Sequence, residues 1–110
     1  MVEVRKINTY EDFKSFINVG DGLKIVKIGA EWCGPCRVME NTIHGLNPDK
    51  INGILLGAVD IDEDGMEQVS VDYSVRNIPV LLFFKNGNMV KKEVGVVGAD
   101  VIYNNIEEYK

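Results

Sequence analysis

Two cysteines stand three residues apart in the run Trp32-Cys33-Gly34-Pro35-Cys36, and they are the only thiols in the chain. A pair at that spacing can store and release two electrons as a disulfide. A thiol attacks a disulfide only as its thiolate, so an efficient exchanger must ease the ionisation of one sulfur and keep a second within reach. Pro35 suits the first turn of a helix, where its missing N–H costs nothing. Cys33 then precedes that helix, where unpaired backbone N–H groups and the positive end of the macrodipole stabilise a negative sulfur. Cys36 follows on the same face. This arrangement assigns Cys33 as the exposed attacking nucleophile and Cys36 as the resolving thiol. Gly34 and Pro35 keep the loop short and restrict the helix start, which tunes the dithiol against the disulfide.

Two blander uses of the pair are weak. As a structural staple, a loop of about four residues contributes only ~2 kcal/mol before strain. A closed zinc site needs four ligands, and beyond the two cysteines the chain offers one histidine, His44. The exchange chemistry needs no metal and no organic cofactor.

The elements that must position the pair follow from hydrophobic periodicity. Val2 to Val4 predicts a short first strand, and Thr9 can cap a helix carrying Tyr10, Phe13 and Phe16-Ile17 on one side. Leu23 to Ala30 reads as a buried central strand that runs into the cysteines. The helix opened by Pro35 continues an apolar stripe through Val38-Met39, Thr42-Ile43 and Leu46, and Gly45 and Pro48 end it. Ile54 to Asp60 predicts a third strand. Gly65 to Tyr73 is assigned to a short helix, although Val69, Val71, Tyr73 and Val75 also fit a strand's alternation. Val80 to Phe84 and Met89 to Val94 form a hairpin about Asn86-Gly87. Ala99 to Tyr109 closes the chain as a helix with Ile102, Ile106 and Tyr109 on one face. Strands alternating with helices, followed by a terminal hairpin, predict an α/β fold: a three-layer α/β/α sandwich around a mixed five-stranded central sheet.

The chain has 110 residues, 45% of them hydrophobic and 26% charged, with a formal net charge of −5. That length and balance suit one domain over residues 1–110. No block of Lys or Arg offers a footprint for nucleic acid or anionic lipid, and no apolar run approaches the ~18 residues that span a bilayer. The first residues contain no apolar leader, so a cytoplasmic location is expected, in a reducing compartment where a close cysteine pair is catalytic rather than structural. No membrane partner is expected, and a monomer is.

The run Ala30-Glu31-Trp32-Cys33-Gly34-Pro35-Cys36, followed by Asn77-Ile78-Pro79 and Phe84-Lys85-Asn86-Gly87, resembles the thioredoxin family over almost the whole chain. The resemblance implies the thioredoxin fold and reduction of protein disulfides, with a thioredoxin reductase or equivalent donor recharging the oxidised form. It also implies a cis Ile78–Pro79 bond facing the cysteines. By the same resemblance, Trp32, Ile61, Asn77, Ile78, Pro79, Val94, Gly95 and Val96 form a flat, largely apolar docking surface.

The chain departs from the family at several points. Where thioredoxins carry a buried acid there is Lys27, and the lysine usually paired with that acid is Ala58. Lys27 must either reach solvent, alone or paired with Asp60, or sit beneath the cysteines as a modulator of their ionisation. Asn41 replaces a kinking proline and Gly29 an aromatic residue, which predicts a straighter helix and a more open neighbourhood. Asp60-Ile61-Asp62-Glu63-Asp64-Gly65 matches half of a calcium loop, but Val71 stands where the bidentate Glu is needed, so it reads as a solvated acidic turn. His44 complements the helix dipole. Two alternatives stay open: an oxidase or isomerase of the same fold, and a non-catalytic module that binds a partner around Trp32.

Overall fold

The computed structural model describes residues 2–110. Among the described residues, five strands and four helices follow in the order β1 (Val4–Ile7), α1 (Tyr10–Asn18), β2 (Lys24–Gly29), α2 (Gly34–His44), β3 (Leu55–Asp60), α3 (Glu67–Asp72), β4 (Val80–Lys85), β5 (Asn88–Val94) and α4 (Ala99–Tyr109), with one 3₁₀ turn at Pro48–Lys50 after α2. The sheet order is β1-β3-β2-β4-β5. β1, β3 and β2 run parallel, and β4 and β5 return antiparallel.

β2 is therefore a central strand, and its alternating side chains feed both faces. Val26 and Ile28 point into one core with Phe13, Phe16 and Ile17 of α1 and Val69 of α3. Ile25 points into the other, with Met39 and Ile43 of α2 and Ile102 and Ile106 of α4. Two helices on each face of a mixed sheet give the three layers that the periodicity predicts.

Local chemistry sets the boundaries. The Thr9 hydroxyl accepts from the Asp12 N–H at 3.0 Å and caps α1 as expected. Asn86 and Gly87 turn the hairpin with φ of 53° and 80°, the left-handed pair that a tight turn between twisted strands requires. α3 is a helix rather than a strand, although it is shorter than expected: it buries Val69 and leaves Val71 exposed.

Two expectations need correction. The first strand is Val4–Ile7 rather than Val2 to Val4. Its ladder with β3 pairs Val4 with Leu56 and Ile7 with Val59, and the exposed Arg5 and Lys6 between them hid the edge strand from a hydrophobicity reading. Val38, placed on the apolar stripe of α2, is exposed, because the buried stripe is Cys36, Met39 and Ile43.

Candidate active site

β2 ends at Gly29, and the chain needs four residues to turn from the sheet into α2. The Cys33 N–H donates to the Ala30 carbonyl at 3.2 Å and closes that turn. Cys33 is the N-cap of α2, with an extended backbone (φ −90°, ψ 109°) and Pro35 in the first helical turn. Its Sγ accepts the Cys36 N–H at 3.2 Å. A sulfur in the capping position receives a backbone donor and faces the positive end of the helix, and both favour the anion.

The two sulfurs are bonded to each other, with their Cα atoms 5.2 Å apart. In this oxidised form Cys33 is 5% exposed and Cys36 2%. The exposed nucleophile expected from the sequence is thus corrected: Cys33 is buried. Its sulfur is held in the bond to Cys36, and the pair packs against Ala30, Ile61 and Ile78.

The Ile78–Pro79 peptide is cis. Ile78 lies against the cysteines, and the Pro79 carbonyl accepts the Gly95 N–H at 2.8 Å, which ties the Pro79 strand entry to the segment after β5. Gly95 adopts φ 88°, a conformation that needs glycine. Trp32, Val94 and Val96 are exposed, as is Asn77, while Ile61, Ile78 and Gly95 are half-buried and Pro79 is buried.

Three contacts around this surface have no counterpart in the sequence reading. The Trp32 indole N–H donates to Asp62 Oδ2 at 2.7 Å, and Asp62 is itself held by its N–H to Asp60 Oδ1 at 2.9 Å. The acidic turn therefore orients Trp32. The Val97 N–H donates to the Met39 sulfur at 3.4 Å. The Lys92 ammonium donates to the Tyr73 and Ser74 carbonyls at 3.2 and 3.3 Å, at the start of the loop that carries Asn77 and Ile78. None of the three is encoded by spacing along the chain.

Lys27 does not pair with Asp60 but makes its ion pair with a half-exposed carboxylate, as a lysine reaching towards solvent does. Its side chain is 12% exposed, and its ammonium lies 3.4 Å from Glu40 of α2, not beside Asp60. The reason is register: Lys27 stands opposite Ala58, Gly29 stands opposite Asp60, and Lys27 reaches up to the helix rather than along the sheet. Glu40 follows Cys36 by four residues, a spacing from which its place on the cysteine face was readable. A cavity of about 330 Å³ lies beside Gly29, lined in part by Lys27, Gly29, Glu40 and Ala58. α2 runs unbroken through Asn41, whose carbonyl accepts the Gly45 N–H at 3.0 Å. His44 occupies the last turn of α2 and is exposed.

No helix among the described residues is long and apolar enough to cross a membrane. Residues 4–108 match the family model for thioredoxin. The chain is 36% identical over 104 residues to a thioredoxin of Chlamydia pneumoniae, covering 94% of this chain and 97% of that protein. It is 32% identical over 97 residues to a thioredoxin of Malassezia sympodialis, covering 88% of each. Among solved structures, Fasciola hepatica thioredoxin superposes with a TM-score of 0.84 at 29% identity, covering 97% of this chain and all (100%) of that one. The oxidised thioredoxin O2 of Arabidopsis thaliana gives 0.82 at 27% identity, covering 98% and 95%.

Proposed function

This chain belongs to the thioredoxin family and is a thiol–disulfide oxidoreductase, and from that premise we propose that Cys33 is its nucleophile, Cys36 its resolving thiol, and residues 1–110 one catalytic domain. The observation that carries the assignment is the capping geometry: Cys33 Sγ alone takes the N-terminal position of α2 and receives the Cys36 N–H.

In the reduced protein the Cys33 thiolate attacks one sulfur of a target disulfide. A mixed disulfide forms, and the other target sulfur leaves as a thiolate that takes up a proton. Cys36 then loses its proton and attacks Cys33 Sγ. The bond to the target breaks, the second target thiol departs, and the Cys33–Cys36 disulfide is left. Two electrons have passed to the target, and a reductase must return them.

The substrates are disulfides in proteins. A segment of target chain lies across Trp32, Ile61, Ile78, Val94 and Val96, with its backbone beside Asn77 and the cis Pro79. The apolar and exposed character of Trp32, Val94 and Val96 supports this surface, and the hydrogen bond from Gly95 to Pro79 supports its being a single unit. The donor that recharges the pair is a thioredoxin reductase or its equivalent. A dithiol that must be kept reduced suits the cytoplasm.

A Cys36→Ser variant tests the assignment. Incubated with disulfide-containing target proteins, it is expected to accumulate covalent adducts through Cys33 that dithiothreitol releases. A Cys33→Ser variant should give none. Adducts through Cys33→Ser, or none through Cys36→Ser, would reverse or remove the roles.

A further inference from the structure

Resolution requires the buried Cys36 to lose a proton inside the protein, where an anion is costly unless a partner charge faces it. The space beside Gly29 brings one near. A Cβ placed on Gly29 would sit 3.1 Å from Cys36 Sγ and 3.9 Å from Lys27 Cε, so the sulfur and the end of the lysine stem border the same small space. Any larger side chain at Gly29 would separate them.

The pieces come from two elements in register. Lys27 and Gly29 project from one face of β2, and Ala58 and Asp60 stand opposite them on β3. Cys36 and Glu40 lie one helical turn apart on α2 above that face. Small residues at Gly29 and Ala58 leave the room in which the Lys27 side chain lies, and Glu40 closes it at 3.4 Å.

Resting on the assignment of Cys36 as the resolving thiol, we propose that Lys27 and Glu40 act as an opposed charge pair on Cys36, the ammonium favouring its thiolate and the carboxylate moderating that effect. The pair touches no substrate. It acts through Cys36, so both are positioning residues for the second half of the exchange. The Cys36 proton leaves to solvent, the new bond forms from Cys36 Sγ to Cys33 Sγ as the bond from Cys33 to the target breaks, and the departing target thiolate takes up a proton.

Other charges face the same cavity: Lys6, Glu31, His44 and Asp60. Lys6 is mostly exposed and tied to Glu63 at 3.3 Å. Glu31 and His44 are exposed to solvent, and Asp60 accepts the Asp62 N–H. Lys27 is the largely buried cation of the group, and a buried charge is the least screened by salt.

The test titrates Cys36 alone. In a Cys33→Ser background the ultraviolet absorbance of the thiolate is followed against pH, a readout that does not depend on access to the sulfur. Lys27→Met should raise the midpoint by about one pH unit, roughly a tenfold loss of thiolate at neutral pH. Lys27→Arg should restore it. Glu40→Gln, a change at a half-exposed site that does not threaten folding, should lower it. In the two-cysteine protein, Ellman's reagent should release thionitrobenzoate in two phases, and Lys27→Met should slow the second, Cys36-dependent phase by up to about tenfold while sparing the first. An unmoved midpoint in Lys27→Met, or an unmoved or raised one in Glu40→Gln, overturns the proposal. Failure of the unmodified protein to react with the reagent at all would instead remove the exchange reading, and the titrations would still report on Lys27.

Discussion

The indole N–H of Trp32 points at Asp62 Oδ2 across 2.7 Å, so the side chain that precedes Cys33 is fixed by an acid on the turn after β3. Trp32 is 69% exposed, and a ring so poorly packed needs such a tether to present one face to a target. Removing the acceptor with Asp62→Ala is expected to weaken catalysis on a protein disulfide by several-fold in kcat/KM, as loss of one hydrogen bond of about 1 kcal/mol implies. Reaction with a small disulfide should be unchanged. Asp62→Asn, which keeps an oxygen acceptor, should behave nearly as the parent. Equal losses on both substrates would mean that the contact supports the cysteines rather than the docking face.

A second tether runs from the Val97 N–H to the Met39 sulfur at 3.4 Å, and it joins the segment after β5 to a helix residue three positions beyond Cys36. Met39→Leu keeps the buried volume and removes the acceptor. The expected result is a loss of about 1 kcal/mol in urea denaturation and faster hydrogen exchange at the Val97 amide. Unchanged exchange at Val97 would show that the contact is only packing.

Away from the site, the Tyr10 hydroxyl donates to Asp72, which also accepts from Gln68 at 2.7 Å. The hydrogen bond to Asp72 raises the Tyr10 pKa above 10.0, and the one from Tyr10, followed by that from Gln68, lowers the Asp72 pKa below 3.8. A depressed carboxyl stabilises the fold above 3.8 and loses that contribution as pH falls through its folded value. A raised phenol stabilises it below 10.0 and loses it as pH rises through its own. The stability gap between the parent and Tyr10→Phe should therefore be widest at neutral pH and shrink at both extremes. A gap that stays constant across pH would rule out this linkage.

The chain announces its layers because period and burial agree. Strand β2 reads as central since Ile25, Val26 and Ile28 serve two cores, and the Asn86-Gly87 turn fixes the hairpin by backbone chemistry alone. Hydrophobicity places edge strand β1 too early because half its residues face water, so its pairing with β3 defines it. At the site, the cysteine pair is legible from one short motif, and the cis Pro79 follows from the family resemblance. The tethers of Trp32, Val97 and Lys27 are not legible, since Asp62, Met39 and Glu40 meet them only after folding brings separate elements together. The burial of Cys33 is not legible for a different reason: helix position predicts reactivity, whereas exposure depends on what packs over the disulfide.

The claim on which the rest stands is that the helix start activates Cys33 and leaves Cys36 in reserve. It is tested most directly by reducing the protein, adding limiting iodoacetamide at neutral pH, and locating the label by mass spectrometry. Cys33 is expected to be modified first and faster than free cysteine, with Cys36 largely untouched. Labelling that falls first on Cys36, or a Cys33 no more reactive than the free amino acid, would contradict it.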